Sequence, residues 1–358
     1  MGDPQREPVR RPKAGHGLLP RIHLVLLGLG ALLAACQGPQ RETVLRGPTM
    51  GTSFTVRISA ELSAAEKAGL EAAVVEALEG VNQRMSNYLE DSELSRLNRS
   101  AAGETLRLSE ETLEVLRLAR EISRRSDGAF DITVGPLVNA WGFGPDGRPP
   151  TPPAQEELEA ILEHVGFELL ELVPGGVLKR HSGVVGDLSA IAKGYAVDRV
   201  AEALEGAGIA RYMVEVGGEV RTAGEAPAGG PWRIGIEGPT PAGRSLYRVL
   251  PISGRALATS GDYRNFYEVD GKRFSHTIDP ATGRPVEHSA ASVSVVAREC
   301  ASADAWATAL LVLGPESGFD LAVQENLAAL FLVYEDDGTV SSRPTPRFEA
   351  LFGSPATG

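Results

Sequence analysis

Cysteine is almost absent from this chain: Cys36 and Cys300 are the whole complement in 358 residues. Stability therefore has to come from a buried apolar core and not from disulfides. The length allows one large domain or two intimately joined ones around such a core. Positive charge is also short, with 35 Lys and Arg against 47 Asp and Glu, a formal net charge of −12. That balance argues against a nucleic-acid surface and against electrostatic adsorption to anionic lipid. There is no internal repeat, no low-complexity tract, and no Walker A loop, whose glycines and Lys-Ser/Thr ending are missing.

What is present begins at the N-terminus. Arg10, Arg11, Lys13 and Arg21 form a basic leader, and residues 22–35 are almost wholly apolar. That stretch is too short for a comfortable transmembrane helix but suits a signal-peptide core. It ends Leu33-Ala34-Ala35-Cys36, which resembles a bacterial lipobox; the alternative is a secretory signal that happens to finish near a cysteine. The resemblance implies a signal peptide over 1–35, acylated Cys36 as the mature N-terminus, a tether over 36–46, and a folded domain over 47–353. Stable anchoring then requires several acyl chains on Cys36. The expected location is the bacterial cell envelope, facing the periplasm, with Gln37 in place of an aspartate favouring the outer membrane over the inner one. Cys300 reads as a small buried hydrophobe.

Along the remainder, Phe54 to Ile58 alternates as a strand does. Ser63-Ala-Ala-Glu66 is a capping-box pattern opening a helix to about Met85, with Leu70, Val74, Ala77, Leu78 and Val81 as its stripe. Helices are expected over 110–125, 155–165, 190–207, 301–313 and 317–325, with a loop over 145–153. Short alternating strands come after residue 208, at 212–216, 232–237, 246–252, 266–269 and 291–296, with hairpin turns at Asp270-Gly271 and Asp337-Gly338. Because βα alternation is not sustained, the class is α+β with mixed, largely antiparallel sheets flanked by helices.

Several clusters could carry chemistry. Asp304 and Thr308 stand four apart on a helix and share a face. They are hard oxygen ligands suited to Mg²⁺, or else an exposed acid on an Ala-rich surface helix and a hydroxyl bonded to its own backbone. Asp187 to Tyr195 leads into a helix whose free N–H groups and dipole suit a pyrophosphate, with Lys193 adding charge; equally, Asp187 or Ser189 could simply cap that helix. His276 sits between a strand and a Pro-Gly-rich turn, well placed for general-base work, although a lone histidine is more often structural. Asp131 is an acid inside an apolar run that could be a strand. Tyr88 and Phe130 read as core aromatics able to stack on a planar ring. Gly217-Gly218 reads first as a hairpin turn.

In their order these islands resemble the ApbE family of FAD:protein FMN transferases, long labelled thiamine-biosynthesis lipoproteins. The resemblance is carried by Met50-Gly-Thr52, Met85-Ser-Asn-Tyr88, Gly128-Ala-Phe-Asp131 through Gly135-Pro136 and Trp141-Gly-Phe143, and Asp187-Leu-Ser-Ala-Ile-Ala-Lys-Gly-Tyr195. It continues through Val216-Gly-Gly218, Trp232-Arg-Ile-Gly-Ile236, Ala258-Thr-Ser-Gly261, His276-Thr-Ile-Asp-Pro280 and Ala303-Asp-Ala-Trp-Ala-Thr308. The resemblance implies an ApbE-like flavin transferase fold and an enzyme that uses Mg²⁺ to split FAD. FMN would be attached through a phosphoester to a Thr or Ser of an exported or membrane-bound flavoprotein, with release of AMP. It further implies Met50, Tyr88, Ala129, Phe130, Asp131, Asp187, Lys193 and Ile278 as FAD contacts. Ala190 (through its carbonyl), Asp304 and Thr308 would be the metal ligands and His276 the catalytic base. Departures from the family pattern fall at Thr277, Ala281 and Glu219, where an aliphatic residue, a basic residue and Asp are common. Two other readings use the same residues: an FAD pyrophosphatase releasing FMN and AMP, and a non-enzymatic FAD-binding lipoprotein.

Overall fold

Alternating apolar and polar residues, as at Phe54–Ile58, can be satisfied only by a sheet with one face against a core. A computed structural model describes residues 42–147, 149, 151–239, 245–262 and 265–354, and in it this segment belongs to an eight-stranded sheet. The strands are β1 (Thr43–Thr49), β2 (Thr52–Ile58), β3 (Tyr212–Val216), β4 (Glu219–Ala223), β5 (Arg255–Gly261), β6 (Ala290–Ala297), β7 (Ala328–Tyr334) and β8 (Val340–Pro344). Their order across the sheet is their order along the chain, and every neighbouring pair is antiparallel. The expected α+β class with largely antiparallel sheets is what the chain adopts.

Four long helices lie on one face: α1 (Ala64–Met85), α2 (Glu110–Arg125), α3 (Ala192–Gly206) and α4 (Cys300–Gln324), the last broken at Gly314 ahead of Pro315. The capping box of α1 forms in full, Glu66 N–H donating to Ser63 Oγ at 3.3 Å and Ser63 N–H to Glu66 Oε2 at 2.8 Å. Leu70, Val74, Leu78 and Val81 are buried as the stripe requires. The opposite sheet face is covered by a ribbon of Trp232–Gly238 and Ser245–Ile252 and by a short helix, Pro346–Phe352. In β7, Phe331 and Val333 face the helices while Leu330 and Leu332 face the ribbon. Burial on both faces explains why this strand is a continuous apolar run without alternation. A third apolar cluster joins Leu137, Trp141, Leu158, Tyr267, Phe274 and Ile278, and pins the hairpin of Phe266–Val269 and Lys272–Ser275.

Some expectations change. Residues 43–46, expected as tether, are the start of β1; the leader, Cys36 and residues to 41 lie outside the described residues. Residues 130–134 are not a strand: Asp131 bends the chain into a turn ahead of a short helix, Gly135–Ala140. Helix Gln155–Leu162 stops earlier than its apolar pattern suggests, and helix Glu93–Arg99 is an addition to the expected set. The described residues belong to one compact unit, and among them no helix is long and apolar enough to cross a membrane.

The buried junction of α3 and α4 fixes the frame on which the polar clusters are mounted. Asp198 on α3 accepts from the N–H groups of Cys300 and Ala301, both at 2.9 Å, and from Arg221 Nη1 at 2.8 Å. An acid at a helix start satisfies donors that the helix itself cannot. Replacing it would leave Arg221 as a mostly buried charge without this partner. Asp198→Ala is expected to lower the unfolding free energy by about 3–5 kcal/mol, read as a reduced urea midpoint; an unchanged midpoint would contradict this account of the junction.

Candidate active site

The loop ahead of α3 is built by Asp187. Its Oδ1 accepts from Ser189 N–H at 2.8 Å and from the Ser189 hydroxyl, and its Oδ2 accepts from Asn87 Nδ2 at 3.2 Å. Asp187 N–H donates to Ile132 O at 2.7 Å, which ties this loop to the turn carrying Asp131. Neither Asp187 nor Ser189 caps α3, which begins without a side-chain cap from its own flank. The cap comes from elsewhere: Gly194 N–H donates to Asp304 Oδ2 at 3.0 Å. This approach works only because residue 194 is glycine. A Cβ there would sit 2.5 Å from Cys300 O and 2.8 Å from Asp304 Cβ.

Asp304 is therefore no surface acid; it is 4 % exposed. Thr308, one turn on, is not bonded to its own backbone but shares a 2.9 Å hydrogen bond with Ser260 Oγ of β5. Lys193 donates to Glu219 Oε1 at 2.6 Å, just past the turn that joins β3 to β4. That turn holds Gly217 at φ +64°, and a Cβ there would lie 3.1 Å from Thr52 and 3.3 Å from the Lys193 chain. Thr52, Lys193, Glu219 and Asp304 thus converge, with Thr308 one turn further along α4.

Electrostatics bind the cluster together. Burial pushes the Asp304 carboxyl up to about 7, the ammonium of Lys193 pulls it down, and the charge of Glu219 adds to the rise. Burial would lower the Lys193 pKa, but Asp304 and Glu219 outweigh it and keep the ammonium charged. His276 ends the strand Lys272–Ser275, with its ring edge-on to Phe143 at 6.2 Å between centroids. Its pKa is lowered first by burial and also by the field of Lys193, which places the imidazole in the same electrostatic neighbourhood.

The other expected residues divide. Met50 adopts φ +46° and lines a cavity of about 400 Å³ with Val75, Leu78, Glu79 and Asn82 of α1. Tyr88 is 69 % exposed, not a core aromatic, and stands next to Asn87. Ala129 and Phe130 are buried. Asp131 is buried with both oxygens engaged: Thr133 N–H and hydroxyl on Oδ1 at 2.7 and 2.6 Å, and Phe167 N–H on Oδ2 at 2.7 Å. Burial raises its pKa and these donors oppose the rise. Its side chain holds two loops together. Ile278 packs into the third apolar cluster. Ala190 lies two residues ahead of α3, on the loop that Asp187 shapes. Three residues acquire partners to which the sequence does not point: Glu219, Ser260 and Asn87. Glu219 alone carries a signal, as an acid directly after a double glycine.

The donor set suits a hard divalent cation. Asp304, Thr308 and the Ala190 carbonyl are oxygen groups, few in number, and Mg²⁺ typically keeps water or phosphate for its remaining positions. Among the described residues there is no cluster of three or more His, Cys, Asp or Glu side chains of metal-binding arrangement.

Comparison with known proteins adds the family. The ApbE family model matches residues 50–331. An FAD:protein FMN transferase from Vibrio cholerae is 44 % identical over 318 residues, covering 89 % of this chain and 95 % of that protein. One from Escherichia coli K12 is 39 % identical over 316 residues, covering 87 % and 90 %. The solved flavin transferase ApbE from Vibrio cholerae superposes with a TM-score of 0.81 at 41 % identity, covering 87 % of this chain and 99 % of that one.

Gly194→Ala should force α3 and α4 apart. The expected loss is about 1–3 kcal/mol, the usual range for overpacking. Thermal unfolding measures it, and wild-type stability in this variant would mean that the close approach is not needed.

Proposed function

The chain belongs to the ApbE family, and on that footing we propose that it is a Mg²⁺-dependent enzyme that cleaves FAD and attaches FMN through a phosphoester to a Thr or Ser of a target flavoprotein, releasing AMP. The observation that carries this reading is the buried cluster at the start of α3, where Lys193 donates to Glu219 and its neighbour Gly194 to Asp304, with Thr308 one turn further along α4; the His276 ring feels the same Lys193 ammonium. Relatives over most of the chain are named FAD:protein FMN transferase, which supports flavin transfer as the reaction class.

The imidazole geometry fits a base. His276 Nδ1 lies 3.0 Å from Asn265 O. A carbonyl can only accept, so Nδ1 carries the proton and Nε2 keeps its lone pair. With the pKa lowered, the ring is neutral at pH 7 and able to take the proton of an acceptor hydroxyl. The hydroxyl oxygen then bonds to the FMN phosphorus as the bond from that phosphorus to the bridging oxygen breaks, and AMP departs with that oxygen. Lys193 neutralises charge on the diphosphate. A divalent ion held by Asp304, Thr308 and the Ala190 carbonyl would supply further charge neutralisation and orientation of the phosphates. The cavity beside Met50 is large enough for part of a dinucleotide, and exposed Tyr88 offers a face for a planar ring. Asp187 and the backbone of residues 129–131 would complete the FAD contacts, with Ile278 next to the base.

We further infer that acylated Cys36 anchors the protein in the bacterial envelope, facing the periplasm. Leu33-Ala34-Ala35-Cys36 supports the anchor, and exported or membrane-bound flavoproteins are the acceptors such a location would serve.

Purified full-length protein incubated with FAD, Mg²⁺ and a flavoprotein fragment should add one FMN mass to the fragment. Free FMN and AMP alone would mean pyrophosphatase activity, and intact FAD would mean binding only. His276→Ala is expected to abolish transfer while FAD binding persists. Since the pKa of His276 is below its ordinary value, the acid limb of the transfer rate at saturating FAD should fall below about pH 6.5. With Mg²⁺ also saturating, so that Asp304 is held ionised, a limb well above that would remove His276 as the base.

A further inference from the structure

One atom in the cluster has no partner. Glu219 is 4 % exposed, its Oε1 accepts from Lys193, and its Oε2 has no hydrogen-bond donor in the protein. A buried carboxylate oxygen left in that state is costly, of the order of the desolvation of the group. The oxygen lies against the Gly217 turn, beside the Lys193 chain, and Glu219 is within electrostatic reach of Asp304. A carboxylate cannot receive a phosphate oxygen, so this atom can take only a hydrogen-bond donor or a cation.

We propose that Glu219 is a positioning residue of the metal site: one oxygen holds Lys193 and the other accepts from water on the divalent cation held by Asp304 and Thr308. The inference rests on the metal-dependent reading above. Its physical basis is that acids outside the coordination sphere orient metal-bound water and strengthen binding. Glu219 thereby serves two partners of the same chemistry, a fixed ammonium and a replaceable hydrated ion.

The test is titration of the full-length protein with Mn²⁺ alone, free ion followed by electron paramagnetic resonance. Glu219→Gln keeps the shape and removes the charge; it is expected to weaken Mn²⁺ binding about 10- to 100-fold. Lys193→Met removes the other half of the ion pair. If Glu219 acts toward the cation, this variant binds Mn²⁺ as tightly as wild type or tighter, because a nearby positive charge is gone. If Glu219 merely supports Lys193, both variants lose affinity alike, and the proposal is overturned. Glu219→Asp, which retains the charge, should recover most of the affinity lost in Glu219→Gln. Thermal unfolding without metal checks that each variant is folded. Wild-type protein that binds no Mn²⁺ would defeat the metal-dependent reading and this inference with it. Wild-type binding that Glu219→Gln leaves unmoved would defeat the inference alone.

Discussion

Two helices that cap one another are the constraint on which the architecture depends. Asp198, on α3, satisfies the first N–H groups of α4, and Asp304, on α4, satisfies an N–H in the first turn of α3. Each carboxylate is buried, and each meets donors that no water can reach. The exchange sets the crossing point of the helices and demands a residue without a side chain at 194. It also aims Thr308 at Ser260 on the sheet. The site residues on α3 and α4 are thus consequences of how the core is closed, not additions to its rim.

This arrangement gives Asp304 two kinds of work. As a cap it is structural; as a buried acid next to Lys193 and Glu219 it is poised between charged and neutral forms. A group so balanced responds strongly to any cation brought near it. Asp131 makes the opposite case. It too is a buried acid in a family motif, yet its oxygens are saturated by Thr133 and Phe167, and its contribution is to hold loops in place.

Local features of the fold are readable from residues wherever the cause is local. The Ser63–Glu66 box, the stripe of α1 and the Asp270-Gly271 turn depend on neighbours in the chain, and all form as expected. β7 is harder, because burial on both faces erases the alternation that marks a strand. β1 looks like linker in sequence because Arg46, Gly47 and Pro48 resemble one; its pairing with β2 is what makes it a strand. At the site, spacing alone leaves Asp304 undecided between surface and metal, since its burial depends on Gly194 of another helix. Glu219 cannot be paired with Lys193 from spacing at all, being 26 residues away. The resemblance to a family suggests roles for these positions, whereas the physical reasons for the roles come only with the packing.

His276 has an unusual neighbour for a base. Its Nδ1 donates to a main-chain carbonyl and not to an acid, and the charge that shifts it is the positive one of Lys193. An imidazolium formed there is disfavoured by burial, supported by the Asn265 carbonyl and repelled by the ammonium of Lys193. The protonated ring is consequently disfavoured relative to the neutral one. In the proposed reaction such a ring would reset by itself: once a departing nucleotide or solvent carried the proton off, it would be ready again, with no separate step of reactivation.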